Sequence, residues 1–264
     1  MSVSDLERID VFLHHISELA STDLIPFDGG LAYINSNFPI IYDMNFLTVR
    51  SPGTMTVGSI ISACDDILGG RGLKHRKAEV MYQPEGAVLA EGFKKLEGWT
   101  VNTLITMKLT GDPDEALVPG VGEEVTYDEL RAFREEGVRR GPYASSEEDV
   151  RQLVDKNRVW HDTVETKHFA ARLDGRIASG CDLYIEGGIG QIEDVETFEE
   201  AQNKGLARAV VGSAAVAAAA AGCDLIFLNA DDDDWPKVLY RKLGFETIGT
   251  FYGYLKTPEG VPAS

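Results

Sequence analysis

The apolar positions of this chain follow two spacings, one typical of helices and one typical of strands. A helix-start signal at Ser4-Asp5-Leu6-Glu7 precedes apolar residues spaced by three or four positions, which predicts a first helix. The same spacing, or a start signal, predicts further helices at 56–68, 87–96, 129–137 and 147–160. Alternating or β-branched runs predict strands at 31–34, 39–49, 77–82, 100–109, 166–173, 176–184, 189–197 and 249–255. The sequence therefore predicts an α/β protein.

The elements follow one another most clearly after the predicted strand at 189–197. A long alanine-rich helix comes next and ends at Gly222. The apolar run at 223–229 predicts a buried strand. Asp234-Trp235-Pro236 then starts another helix, with Asp as the cap and Pro in the first turn.

The turn that opens the alanine-rich helix has the features of an anion-binding site. Its sequence is Gln202-Asn203-Lys204-Gly205-Leu206-Ala207, followed by Arg208. Backbone N–H groups from Asn203 to Ala207 lie at a helix N-terminus, where the helix dipole favours a phosphate. Gly205 lets the backbone approach a ligand closely, and Lys204 and Arg208 add two positive charges. We interpret this turn as a site for a nucleotide pyrophosphate.

Two motifs of this region resemble those of the GCN5-related N-acetyltransferases (GNAT). Gln202, Gly205 and Ala207 match the family's Gln/Arg-x-x-Gly-x-Gly/Ala fingerprint. Leu239-Tyr240 and Leu243-Gly244-Phe245 match its closing Leu-Tyr-x-x-Leu-Gly-Phe motif. The glycine pattern alone would be a weak signal, but both motifs in order, a strand-helix-strand unit apart, are specific. The clear match covers roughly the last hundred residues.

The resemblance implies a fold and a cofactor. The fold is a mixed, mostly antiparallel sheet flanked by helices, and the acyl donor is acetyl-CoA, used as a co-substrate without a metal. Val195 and Thr197 are expected to offer backbone groups to the pantetheine arm, as the corresponding strand does in relatives. Asn229 resembles a polar residue that often contacts the same arm, and its competing role is to cap the loop.

The N-terminal half repeats the element order of the C-terminal half in diverged form. Arg50-Ser51-Pro52-Gly53 falls where Gln202 to Gly205 falls, and Phe93 falls where Tyr240 falls. Pro52 removes one N–H donor and Phe93 lacks a hydroxyl, so this copy is predicted to be inactive. The alternative is that both halves are ordinary α/β pieces with a common order.

The Pro/Gly/acidic stretch at 111–122 marks the predicted domain boundary. The sequence therefore predicts a degenerate GNAT-like domain at 1–115 and a catalytic GNAT domain at 120–264.

Acetyl transfer from a thioester to an amine needs a proton for the departing thiolate and a neutral amine. A tyrosine with its ordinary pKa of about 10 is protonated at pH 7 and can donate to the sulfur. The resemblance gives this role to Tyr240. The competing interpretation is a tyrosine that only packs the helix on the sheet.

The base is less well defined by the sequence. Relatives often carry a carboxylate where this chain has Gln191, which cannot take a proton. Because side chains alternate along a strand, Glu193 lies on the same face and is our first candidate, acting directly or through water. Glu196 points to the other face unless a bulge turns it. Both could instead be surface carboxylates, and a dedicated base could be absent.

The net charge, apolar runs and cysteines of the chain limit its possible partners and its cellular location. The net charge of −18 argues against nucleic acid, because phosphate backbones are bound through an excess of Lys and Arg. The start of the chain has no signal-peptide pattern, and the longest apolar run, at 210–221, is too short to span a membrane. Cys64, Cys181 and Cys223 are far apart and odd in number, which favours a reducing cytoplasm over a disulfide framework or metal site.

The sequence thus predicts an acetyl-CoA-dependent N-acetyltransferase acting on the primary amine of a small molecule. The chain is expected to be a monomer or a homodimer. A non-catalytic acyl-CoA-binding or regulatory module is the alternative, favoured by Gln191 and opposed by Tyr240 and the intact phosphate turn. A third interpretation keeps the enzyme but uses a longer acyl-CoA.

Overall fold

The computed structural model describes residues 3–113 and 122–258. The helices are α1 (Asp5–Leu19), α2 (Val57–Ile67), α3 (Glu85–Phe93), α4 (Tyr127–Arg140), α5 (Glu147–Thr163), α6 (Leu206–Ala220) and α7 (Pro236–Lys242). The strands are β1 (Asp23–Phe27), β2 (Gly30–Ile34), β3 (Phe46–Val49), β4 (Arg76–Val80), β5 (Thr100–Leu109), β6 (Gly122–Val125), β7 (Glu165–Leu173), β8 (Arg176–Glu186), β9 (Ile189–Thr197), β10 (Leu225–Asp231) and β11 (Phe245–Lys256). Most of the predicted boundary segment at 111–122 lies outside the described residues.

The chain forms two compact units whose bounds differ from the predicted domains. The C-terminal unit contains Met1–Asp5 and Thr106–Ile248, and the N-terminal unit contains Leu6–Ile105 and Gly249–Ser264. Strand β11 explains most of the difference, because its second half pairs antiparallel with β4 inside the N-terminal unit, from Tyr252↔Val80 to Lys256↔Arg76. The boundaries 1–115 and 120–264 therefore separate β11 from a strand with which it pairs.

The N-terminal unit is a sheet covered by helices. Its strands lie in the order β1-β2-β3-β4-β11 and then the start of β5. β1, β2 and β3 pair antiparallel, whereas β3 and β4 pair parallel. Residues of α2, α3 and the strands build its core around Leu47, Ile60, Phe93 and Tyr254, all fully buried.

The C-terminal unit contains the predicted site. Its strands β10-β9-β8-β7-β6 lie side by side, with β10 and β9 parallel and the other pairs antiparallel. Gly190 faces Ala218 of α6, whereas Gly180 faces Leu130 and Phe133 of α4, so these helices cover opposite faces of the sheet. This mixed, mostly antiparallel sheet flanked by helices is the fold that the sequence predicted.

The two halves of the chain have the same order of elements. A helix precedes three antiparallel strands, and a helix, a parallel strand, a helix and a strand follow, from α1 to β5 in one half and from α5 to β11 in the other. Two short strands were not predicted. β1 contains Pro26, which weakens the strand signal, and β6 has only four residues.

The predicted strand at 39–49 is wrong in its first half. Only Phe46–Val49 forms a strand, after a 3₁₀ turn at Tyr42–Met44. Buried Asn45 causes the difference, because its side-chain amide donates to the carbonyls of Phe38 (2.8 Å) and Ile41 (2.9 Å). These bonds stabilise a compact loop where the apolar pattern predicted an extended segment.

The packing of β11 in the N-terminal unit leads to a stability prediction. The Tyr254 ring stacks on Phe93 at 4.3 Å, and its hydroxyl donates to the Gly86 carbonyl at 2.7 Å. Tyr254→Phe is expected to lower the free energy of unfolding by about 1 kcal/mol, the usual net contribution of a buried hydrogen bond. Chemical denaturation would measure it. Tyr252→Phe, on a half-buried neighbour, should change stability by less than about 0.5 kcal/mol; equal effects would contradict the prediction.

Candidate functional site

The site begins where strands β9 and β10 separate. They pair in parallel from Leu225↔Ile189 to Leu228↔Ile192. Beyond this point β9 continues to Thr197 and β10 to Asp231. An opening therefore forms between two extended strands at their carboxyl ends, and the β9 backbone on that side is not used by β10.

A β-bulge interrupts β9 within this opening. Asp182↔Glu193 and Gly180↔Glu196 are successive pairs on the same face, so Asp194 and Val195 both lie opposite one residue of β8. Glu193 and Glu196 consequently face the same side of the sheet. The sequence predicts that Glu196 faces away from Glu193 unless a bulge turns it, and β9 contains such a bulge.

Glu196 lies against helix α4. It is half-buried, and burial raises the pKa of its carboxyl above the ordinary value, while the Arg134 charge lowers it. A Cβ at Gly137 would clash with the Glu196 carboxylate, so the helix has a glycine where the carboxylate packs. Glu196 is therefore a second carboxylate on the face that holds Glu193.

Gln191 contacts the candidate base directly. Gln191 is buried near the end of the part of β9 that pairs with β10. Its Nε2 donates to Glu193 Oε2 at 2.7 Å. Because a carboxylate only accepts hydrogen bonds, this contact fixes the orientation of the Gln191 amide. Gln191 thus holds the carboxylate of the candidate base Glu193 in place.

Tyr240 lies on α7, buried against the ring of Phe245 (6.4 Å, edge to face). Burial raises the pKa of its hydroxyl above the ordinary value, and the charge of nearby Glu193 raises it further. The hydroxyl makes no hydrogen bond to any residue in the described ranges. It is therefore a protonated group near Glu193 that remains available to a ligand.

The turn before α6 leaves its backbone donors open. Gly205 precedes the helix with φ +80°, and Asn203 has φ +60°. The first N–H of this segment that donates along the helix is that of Ala209, to the Gly205 carbonyl at 3.0 Å. No side chain caps the helix, and a Cβ at Gly205 would meet nothing within 4 Å. The N–H groups ahead of Ala209, including those of Leu206 and Ala207, can therefore bind an anion.

The predicted cations beside this turn differ in their positions. Lys204 Nζ donates to the Glu200 carbonyl at 2.6 Å, so it is held against the preceding turn. Arg208 is half-buried, and its Nε atom is buried without a hydrogen-bond partner. Gln202 is exposed. An orphaned arginine donor and open backbone N–H groups at one turn fit the pyrophosphate of a nucleotide-type co-substrate.

Asn229 lies on β10 where the opening starts. Its Oδ1 accepts a hydrogen bond of 2.8 Å from the Thr106 hydroxyl. This bond fixes the side chain and leaves the amide N–H₂ group as its donor end. Asn229, Val195 and Thr197 are thus all on the two strands that border the opening.

Sequence reasoning missed a buried polar cluster beneath β9. Asp182 is fully buried; Arg134 Nη2 lies 2.8 Å from its Oδ2 and His168 Nδ1 lies 2.7 Å from its Oδ1. The Arg134 contact is a buried ion pair. Asn157 Nδ2 donates to Asp182 Oδ2 at 2.9 Å. These residues come from α4, α5, β7 and β8, so no spacing in the sequence announces them.

The cluster extends to a cavity at the β6–β7 edge. His168 Nε2 lies 3.1 Å from His161 Nδ1, and both rings line a cavity of about 450 Å³. Tyr127 stacks on His161 at 4.9 Å and closes one wall. This cavity is separated from the β9–β10 opening by strand β8, so it is not the predicted site.

The described residues were also compared with the requirements of a metal site and of a membrane-spanning helix. Within 3–113 and 122–258, no three His, Cys, Asp or Glu side chains are grouped so that they could hold a metal ion. None of the helices in these ranges is both long and apolar enough to cross a membrane.

One family model matches much of the C-terminal unit. The acetyltransferase (GNAT) family model matches residues 126–245 of this chain. This similarity supports acyl transfer to an amine in general. No curated protein matches the sequence.

Solved structures with low sequence identity share the fold. A GCN5-related N-acetyltransferase from Kribbella flavida superposes with a TM-score of 0.63 at 16% identity, covering 98% of this chain and 97% of that one. A conserved protein of unknown function from Staphylococcus epidermidis gives a TM-score of 0.66 at 15% identity, covering 89% and 94%. A GCN5-related N-acetyltransferase from Sphaerobacter thermophilus gives 0.58 at 16% identity, covering 86% and 76%. The likeness concerns the fold of nearly the whole chain.

Proposed function

We propose that the protein is an N-acetyltransferase that transfers the acetyl group of acetyl-CoA to the primary amine of a small molecule. The observation that supports this proposal is that the Glu193 charge acts on the Tyr240 hydroxyl, while the pairing of β9 with β10 ends just before Glu193. A proton donor and a carboxylate at one opening are the two groups that acyl transfer from a thioester requires.

The co-substrate would be held at two places. The open N–H groups before Ala209 and the side chain of Arg208 would bind its phosphates, and the edge of β9 at Val195 and Thr197 would bind its pantetheine arm. Acetyl-CoA supplies the acyl group and a thiolate leaving group. The chain's own residues supply orientation and protons.

Glu193 would remove a proton from the incoming ammonium, directly or through water. Gln191 Nε2 donates to its carboxylate at 2.7 Å and holds it in place. The neutral amine nitrogen would then attack the thioester carbonyl and form the C–N bond. Tyr240 would donate its proton to the sulfur as the C–S bond breaks, and the proton lost from the new amide nitrogen would restore the Tyr240 hydroxyl. With an ordinary thiol pKa of about 8.5, the thiolate is basic enough to be stabilised by a tyrosine at neutral pH.

We further propose that the N-terminal unit is a degenerate copy of the GNAT domain. Its helix α2 is capped by its own side chains, because Thr56 accepts from the Ser59 N–H and Ser59 accepts from the Thr56 N–H. The equivalent helix α6 has no side-chain cap. Pro52 and Phe93 stand where the active half has Lys204 and Tyr240. A capped helix has fewer donors left for a phosphate, which supports loss of the cofactor site.

The function can be tested by release of free CoA from acetyl-CoA in the presence of a panel of small amines. Gly205→Val should raise the KM for acetyl-CoA about tenfold, because a β-branched residue is strained at φ +80° and shifts the backbone of the phosphate turn. Gly53→Val is the matched control in the other half and should leave this KM unchanged.

Two results would contradict the proposal. CoA that binds with no release on any acceptor would favour the non-catalytic acyl-CoA-binding module. Faster turnover with longer acyl-CoA donors would keep the enzyme but replace acetyl as its acyl group.

A further inference from the structure

The bulge of β9 contains a residue in an unusual backbone conformation. Asp194 has a backbone φ of +50°, a left-handed value that residues other than glycine rarely adopt. It stands between Glu193, the candidate base, and Val195, a candidate pantetheine contact. Such a conformation persists only when its surroundings hold it in place.

Two residues of α5 hold the Asp194 carboxylate. Lys156 Nζ lies 3.2 Å from Oδ1, and Asn157 Nδ2 donates to Oδ2. Consecutive residues of one helix therefore bind the two oxygens of one carboxylate. We call Lys156, Asn157 and Asp194 the bulge clamp.

The bulge clamp is anchored in the buried cluster. Asn157 is almost fully buried, and its single amide N–H₂ group donates to Asp194 and also to Asp182 on β8, the latter at 2.9 Å. An amide nitrogen has two hydrogens, so each carboxylate receives one. Asn157 thereby ties the bulge of β9 to the regular part of the sheet.

The charges of this arrangement are balanced. Asp182 is paired with Arg134 at 2.8 Å, and Asp194 with Lys156 at 3.2 Å. Two carboxylates so close together would repel each other without these two cations. Because the charges are balanced, the polar network can remain under α4 and α5, where it rigidifies the bulge.

We propose that the bulge clamp is a positioning device that sets the backbone of β9 for the co-substrate and the direction of Glu193. This inference rests on the proposed function. Lys156 and Asn157 act through Asp194 and need not touch either substrate, so they are positioning residues. A helix outside the fingerprint motifs then controls the geometry of the cofactor strand.

Asn157→Leu tests the device by removing both donors with little change in volume. We expect CoA to bind about tenfold more weakly by titration calorimetry, because a misaligned β9 loses well-oriented contacts. Amide hydrogen exchange at 194–197 should become faster in the ligand-free protein, while exchange in α6 stays unchanged. Unaltered CoA affinity together with unaltered exchange would overturn the proposal.

Asp194→Gly keeps the test informative if Asn157→Leu does not fold. Glycine adopts φ +50° without strain but offers no carboxylate, so it should fold and still bind CoA more weakly. Lys156→Met should weaken CoA binding and Lys156→Arg should restore it. Lys167→Met, which removes a comparable lysine 3.3 Å from Glu124, is the control and should have no effect.

The two proposals can fail separately. If the unaltered protein does not bind CoA, the proposed function is wrong, and the role of the bulge clamp toward a cofactor is wrong with it. If the unaltered protein binds CoA and all clamp variants bind equally well, only the bulge clamp is refuted.

Discussion

Tyr240→Phe is expected to lower kcat for acetyl transfer by about 10²–10⁴-fold, the usual contribution of a general acid. The KM for acetyl-CoA should change little, because the hydroxyl donates to sulfur only as the thiolate leaves. Burial keeps the Tyr240 pKa above its ordinary value, so the group is fully protonated at neutral pH and ready to donate. Steady-state kinetics at saturating amine would measure both parameters.

The shape of the effect separates acid catalysis from packing. The phenyl ring of the variant keeps the edge-to-face contact with Phe245, so folding should be preserved. Tyr252→Phe, in the N-terminal unit, serves as the control and should leave kcat unchanged. Equal turnover in wild type and Tyr240→Phe would remove Tyr240 from the acid role but leave the enzyme in place.

Local signals in the sequence predicted the elements that carry the site. The start signal of the predicted helix at 129–137 corresponds to a capping box of Thr126 and Glu129 at the start of α4, in which each side chain bonds the other's backbone N–H. The alternation at 189–197 corresponds to β9, and the glycine fingerprint marks the uncapped start of α6. These features depend on residues close in sequence, so a single sequence shows them.

The bulge shows where such reasoning ends. Strict alternation places Glu196 on the face opposite Glu193, and one extra residue in the ladder reverses that result. The bulge is stabilised by Lys156 and Asn157, which lie far earlier in the chain. A contact between distant segments therefore decides the direction of a candidate catalytic carboxylate.

The buried cluster, and the pairing of the second half of β11 with β4 in the N-terminal unit, also depend on contacts between distant parts of the sequence. Arg134, Asp182 and His168 meet because of the β7–β8 register and the position of α4, and each alone reads as an ordinary polar residue. The assignment of 249–256 to the N-terminal unit depends on pairing with β4. Composition and periodicity do not specify which strand becomes the neighbour of another.

Asp182→Asn is expected to lower the free energy of unfolding at pH 7 by about 3–5 kcal/mol, the usual cost of breaking a buried ion pair. The substitution leaves the buried guanidinium of Arg134 without its counter-charge, 2.8 Å away in the native protein. It also removes the carboxylate that accepts from His168. Denaturant unfolding followed by circular dichroism would measure the change. Arg134→Met combined with Asp182→Asn should be less destabilising than the sum of the two single changes.

The same group should make the protein sensitive to acid. Burial, the largest influence, raises the pKa of Asp182, but Arg134 and His168 outweigh it and hold the pKa at about 2, below the ordinary 3.8. A carboxyl with a lowered folded-state pKa stabilises the protein above its unfolded pKa, and this stability is lost as the pH falls from about 4 to 2. The difference corresponds to about 2 kcal/mol.

Glu148 provides the control for this acid sensitivity. Its pKa is also held at about 2, by hydrogen bonds from Arg151 and Gln152, but the group is exposed and solvent screens its contacts. Glu148→Gln should therefore leave the stability curve between pH 4 and 2 nearly unchanged. In Asp182→Asn the slope of this curve should be reduced, because the group that takes up the proton is gone. An equal slope in wild type and Asp182→Asn would show that other carboxyls cause the acid unfolding.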